Sequence, residues 1–427
     1  MSLKNLSPVV LSVAALLAVF ASPKASAAHN EKVLYTFNGG TDGAYPTAGL
    51  ISDKAGNLYG TTTAGGSGSC SSADGVGCGT VFELSPVAGG WTEKMIYTFQ
   101  GGQDGSYPEG ALIFDVKGNL YGTTFAGGGG SCTDLEPGCG TVFEVTPGSG
   151  GTWTESVLYR FQGGSDGSTP VSSLMFDQAG NLYGTTAAGG GSACPVGCGT
   201  AFKLTPSAQS WTESVIYAFA GGTDGETPEG RLVLDKAGNF YGATNVGGAY
   251  GLGTVFKISP NSGGTWTETI LYSFGVHDGH VPSGVISDKA GNLYGANFNG
   301  GHYGYGTVFE FSASGKESVI FNFGGSGLNG QTPRSGLTFD TVGNLYGTTQ
   351  YGGGMGSGTV FKLVPKTGGG WTETALYSFT GGSDGSQPFG NVLVSAGGQI
   401  YGTTWVGGTG SCTGNGGNGC GVVFEIQ

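Results

Sequence analysis

Three of the four histidines in this 427-residue chain, His277, His280 and His302, fall within one short stretch. Imidazoles beside a carboxylate can hold a divalent metal, pass protons or hydrogen-bond a polar ligand. Asp278 lies between the first two, and Asn299, Tyr303 and Tyr305 flank the third. Together these groups suit a polyhydroxylated ligand, because aromatic rings stack on sugar faces while amides and imidazoles hydrogen-bond hydroxyls. The plainer reading is a set of exposed loop residues, and a divalent ion held by two or three His and Asp278 is the sharper alternative. A second set is Glu109, Glu229 and Arg334. The two glutamates could serve as the acid and base of a glycosidase, although nothing in the sequence fixes their spacing. No Gly-x-x-x-x-Gly-Lys, His-Glu-x-x-His or Asp-x-Asp-x-Asp-Gly motif occurs, so no cofactor and no resident metal are expected.

What positions these residues is a repeat. The phrase Asn57-Leu58-Tyr59-Gly60 returns at Asn119, Asn181, Asn239, Asn292, Asn344 and, as Gln-Ile-Tyr-Gly, at Gln399, with spacings of 62, 62, 58, 53, 52 and 55 residues. Each unit reads as four short strands, A to D, rich in β-branched and aromatic residues and separated by Gly, Asn, Asp and Pro turns. In the first unit these are residues 49–53, 57–62, 79–84 and 93–99. The strand B Tyr-Gly and the strand C Phe (Phe82, Phe143, Phe202, Phe256, Phe309, Phe361, Phe424) recur in all seven. Such repetition predicts packing roles, with the aromatic between sheets and the glycine at a close backbone approach.

The ends choose the architecture. A lone D strand at 31–37 opens the first unit, and a lone C strand at 421–427 closes the last. Pairing the two completes seven four-stranded sheets and hides their edges. The expected fold is therefore all-β, a seven-bladed β-propeller of four-stranded antiparallel sheets occupying residues 28–427 as one domain. A linear β-solenoid is the alternative, but it calls for atypical capping repeats.

In order, the units read Gly-Gly-x-Asp-Gly-x-x-Pro, Asp-x-x-Gly-Asn-Leu-Tyr-Gly-Thr-Thr, Gly-Thr-Val-Phe and Trp-Thr-Glu. Over residues 33–427 this resembles the choice-of-anchor GloVer tandem repeat of secreted bacterial proteins. The resemblance implies export and a propeller-like repeat, and it assigns no catalytic residues. Some relatives carry an anchoring tail; here the chain stops within a strand at Gln427, so release is the expectation.

The eight cysteines fall as four close pairs in B-to-C loops: Cys70 with Cys78, Cys132 with Cys139, Cys194 with Cys198, and Cys412 with Cys420. Units 4 to 6 lack both members, which is how local disulfides are lost in an exported protein. Two thiols per loop are too few for structural zinc. The D-to-A connections and B-to-C loops should share one face, and long loops on a rigid ring make it the better binding surface. The Asp of Gly-Gly-x-Asp-Gly (Asp42, Asp104, Asp166, Asp224, Asp278, Asp384, with Asn329 in the sixth place) is expected to cap its own turn rather than bind calcium. The tryptophans of Trp-Thr-Glu are expected to pack on outer strands. Just after the D-to-A proline, by contrast, the units differ, offering Thr47, Glu109, Val171, Glu229, Ser283, Arg334 and Phe389. That ring should border a central channel.

Residues 1–27 read as a secretory signal, with Lys4, an apolar run and an Ala-Ser-Ala cleavage site. After cleavage no membrane span remains, and the expected location is periplasmic or extracellular. A formal charge of −13 leaves no basic surface for nucleic acid or anionic lipid. The favoured function is a monomeric exported binding protein for an extracellular glycan or envelope polysaccharide, with the site on the blade 5 loops. The shorter, disulfide-free loops of blades 4 to 6, carrying Tyr250 and Tyr351, should leave a depression there. The competing classes are a polysaccharide hydrolase or lyase and a protein-interaction scaffold.

Overall fold

The computed structural model describes residues 30–427 apart from 73–74, 133–136, 192, 326 and 415–416; the signal segment lies outside the described residues. Strands dominate, and the only helical elements described are four three-residue 3-10 turns. Seven antiparallel sheets form the blades. Blade 1 runs Ile51–Ser52, Leu58–Thr62, Thr80–Val87 and Gly90–Thr98 from inside to outside, and the next five repeat that order. In blade 7, Glu31–Thr36 pairs with Val422–Ile426, which pairs with Ile400–Thr404 and then Leu393–Val394. The ring is closed by the two ends of the chain, as the split repeat predicts.

Strand A is shorter than expected, two residues rather than five. Its preceding glycine runs along the crowded axis, where a Cβ on Gly49 would lie 2.9 Å from the Asn391 carbonyl oxygen of the neighbouring blade. Blade 5 departs further: His280–Pro282 also pairs with an extended strand B, Leu293–Asn299.

The recurring residues explain themselves at the blade contacts. Gly60 and Phe82 are cross-strand partners, and a Cβ at Gly60 would lie 2.6 Å from the Phe82 ring. The glycine is therefore the floor on which the aromatic lies. Each such Phe then meets, edge to face at 4.9–5.2 Å, the Phe ending strand D of the preceding blade, Phe37 for Phe82 and Phe99 for Phe143. Trp91, Trp153, Trp211 and Trp371 pack on the strand B tyrosine of the blade before, whereas Trp266 packs on Phe240 of its own blade. Burial of these rings, with the Leu, Ile and Val packed beside them, holds blade to blade.

Outside the phenylalanines lies a polar seam. Asp42 accepts hydrogen bonds from the Tyr35 hydroxyl and the Asn38 amide, both at 3.0 Å. Asp104, Asp166, Asp224, Asp278 and Asp384 do the same for their own strand D tyrosine and backbone. Turn capping is thus the role of this recurring acid. The strand D glutamate of the following blade faces it, and burial first, then the aspartate, pushes Glu31, Glu93, Glu155, Glu213 and Glu317 up to about 7 and Glu268 to about 8. At the sixth seam Phe321 and Asn329 replace Tyr and Asp, and burial alone lifts Glu373 to about 7.

Candidate functional site

Every blade carries one non-glycine residue in left-handed backbone, immediately before the D-to-A proline: Tyr45, Tyr107, Thr169, Thr227, Val281, Thr332 and Gln387, with φ of 53–60°. That conformation is unfavourable for any L-residue and worse before proline, so it persists only where its surroundings over-determine it. They do. The Tyr107 amide donates to the Cys78 carbonyl of the previous blade, and the Tyr107 carbonyl accepts from Phe125 of its own strand B end, at 2.9 and 3.0 Å. The same clamp recurs at Tyr45, Thr169, Thr227, Thr332 and Gln387. It aims the residue two positions on toward the axis.

All seven of those residues, Thr47, Glu109, Val171, Glu229, Ser283, Arg334 and Phe389, line one central cavity of about 840 Å³. The channel predicted from the repeat is present, with a volume suited to a small ligand. Its other walls come from positions the sequence reading passed over: Tyr107 and Gln387 before the proline, Arg231 and Asn391 two residues beyond the ring, and Thr63, Phe125, Ala187, Gln350 and Trp405 just after strand B. The signal was available. The column after Gly-Thr-Thr reads Thr63, Phe125, Ala187, Asn245, Phe298, Gln350 and Trp405, as divergent as the ring itself.

The channel is chemically lopsided. Phe389 and Trp405 meet at a tilt of 54° with centroids 5.1 Å apart, and Tyr45 lies 6.2 Å from Trp405. The Arg334 guanidinium sits over the faces of Phe389 and Phe298, at 4.7 and 5.7 Å. Gln350 is 5% exposed; its amide donates to the Tyr351 hydroxyl and to Gln387, leaving its Oε1 without a partner. Glu229 projects into the channel, where the surrounding walls push its carboxyl above the usual range while the Asn245 side chain and Arg334 pull it back. The same enclosure lowers Arg231. Aromatic faces with nearby donors and acceptors can stack on and hydrogen-bond a polar ring.

The blade 5 residues sit on adjoining segments, the Gly301 amide donating to the Val276 carbonyl at 3.1 Å. His277 is exposed in its turn. His280 is the strand partner of Asn299, Asp278 is occupied by the Tyr272 hydroxyl and the Gly275 amide, and His302 lies edge-on to Tyr303 at 4.6 Å. Among the described residues the one cluster with metal-ligating spacing is Cys194, Cys198 and Glu226, whose two thiols are already joined. Tyr305 and Tyr303 instead cover Gly324 and Gly325 of the next connection. In the stapled blades a disulfide fills that place, Cys70–Cys78 against Gly101, Cys132–Cys139 against Gly163, Cys194–Cys198 against Gly221 and Cys412–Cys420 against Gly39. Of this neighbourhood only Tyr351 reaches the central cavity.

Among solved structures, the fold is similar to a protein named as a gluconolactonase, at 13% identity and a TM-score of 0.41, covering 75% of this chain and 89% of that one. A protein of unknown function from Dyadobacter fermentans matches at 11% identity and 0.44, covering 82% and 98%. An oxidoreductase named as a glucose dehydrogenase from Thermus thermophilus matches at 13% and 0.42, covering 93% and 100%. No curated protein matches the sequence. The model of the Gloeobacter/Verrucomicrobia repeat matches residues 19–194, 68–286 and 263–427, the same repeating unit whose glycines, phenylalanines and capped turns build the blades. The chain belongs to the Gloeobacter/Verrucomicrobia repeat family.

Proposed function

We propose that this chain is an exported binding protein that takes a carbohydrate in its central channel. The observation that carries the reading is the coincidence of one cavity with the positions at which seven otherwise alike blades differ. Where packing repeats, sequence repeats; here aromatic faces and hydrogen-bonding groups vary from blade to blade on a rigid frame. Residues 1–27 and the four disulfides support an extracytoplasmic setting, and no described helix is long and apolar enough to cross a membrane. The channel replaces the blade 5 loops as the preferred site.

A glycan-binding screen with the mature protein tests this. Saturable binding lost in Trp405→Ala and kept in His277→Ala/His302→Ala supports the channel; the reverse pattern returns the site to blade 5. Because Glu109 and Glu229 face the same cavity, release of shorter products during the screen would instead favour a hydrolase or lyase. If glycans are neither bound nor cut, the reading fails and a protein partner becomes the better explanation.

A further inference from the structure

The channel's cations are set apart from the rest of the molecule. The chain carries only 16 Lys and Arg against 29 Asp and Glu, yet Arg231 and Arg334 both face the cavity. Arg334 is held by two aromatic faces, Phe298 and Phe389. Contact with two ring faces restrains the guanidinium without using its N–H donors, because a cation over a ring is attracted to the ring face. No hydrogen bond from Arg334 or Arg231 to a protein acceptor is formed among the described residues, and Arg334 is open to solvent. A planar fork with unused donors, restrained at an open cavity, matches a carboxylate better than a hydroxyl. Gln350 lines the same cavity, and its Oε1, buried and without a partner, asks for a hydroxyl or amide donor, which a bare inorganic anion lacks and a polyol supplies.

We infer that the channel ligand is an acidic sugar, its carboxylate taken by the edge of the Arg334 guanidinium and a hydroxyl donated to Gln350 Oε1. This rests on the channel reading above and narrows it. Glu229 and Glu109 also face the cavity and oppose an incoming carboxylate, so the arginine edge must supply the discrimination. Phe389 and Trp405 then offer the ring faces on which a pyranose stacks.

The test is calorimetric titration of the mature protein with paired oligosaccharides. Each pair is an oligouronide of galacturonate, glucuronate or mannuronate-guluronate type and its carboxyl-reduced neutral counterpart. The acid member of at least one pair should bind about tenfold or more tightly than its neutral partner. Arg334→Gln should reduce the acid member to the neutral level at an unchanged melting temperature. Arg334→Lys keeps the charge but loses the fork and should recover only part of the difference. Equal binding of acid and neutral members, or a preference that survives Arg334→Gln, overturns the inference while leaving carbohydrate binding intact. Binding confined to neutral glycans of the broader screen does the same. Absence of binding to every glycan overturns the channel reading itself.

Discussion

Single residues in this ring are shaped by how near two blades come. Gly184 shows it: a Cβ there would lie 2.7 Å from the Phe202 ring and 3.0 Å from Leu174, with Phe161 behind Phe202 at 5.1 Å. Gly184→Ala should therefore cost about 1–3 kcal/mol as the stack is pushed apart, read as a lowered urea midpoint with unchanged slope; an unchanged midpoint would mean the rings have slack. This pair was legible in the sequence because both members recur in every unit. The histidine cluster is harder to read. Closeness along the chain groups His277, Asp278 and His280, but the turn spends Asp278 on its own tyrosine and backbone, a commitment that residue types alone do not reveal. Trp405 and Gln350 went unnoticed because each continues the Gly-Thr-Thr phrase of a strand and carries no turn chemistry to mark it.

At the scale of the element, one job is done by two chemistries. The Cys78 carbonyl and the Tyr305 carbonyl accept from the pre-proline amides Tyr107 and Thr332 respectively, so disulfide loop and tyrosine loop alike buttress the connection that reaches the channel. Cys70→Ser/Cys78→Ser should cost about 2–3 kcal/mol in the chain-entropy model and should also weaken the hold on Tyr107, so any ligand contact there loses affinity. Tyr305→Ala should loosen the connection entering blade 6. Hydrogen exchange at the Thr332 amide measures this: faster exchange there with unchanged rates in blade 2 is expected, and an unchanged Thr332 rate would deny the buttress. The paired loss of cysteines disclosed the disulfides from sequence alone. The left-handed pre-proline residues stayed hidden, since the usual preference before proline is extended backbone and only the inter-blade hydrogen bonds override it.

For the whole molecule the polar seams set a pH dependence. A carboxyl near 4.5 when unfolded and near 7 in the ring binds its proton more tightly when folded, so its contribution is complete below about 4.5 and is lost as pH rises through 7. The turn aspartates Asp177, Asp235 and Asp340 run the other way; burial raises them, but hydrogen bonds from Asn181, Asn239 and Asn344 and their turns bring them below 3.8, and their contribution fades in stronger acid. The melting temperature should thus peak between about pH 4 and 6 and fall toward pH 8. Glu93→Gln with Glu213→Gln should flatten that alkaline decline; a melting temperature that rises from pH 5 to 8 would contradict the seams. Ring closure has a consequence in time. Glu31–Thr36 is synthesised well before its partner Val422–Ile426, with six other blades between them. At roughly 5–20 residues per second the first strand waits tens of seconds for that partner, its edge open to other pairing in the meantime.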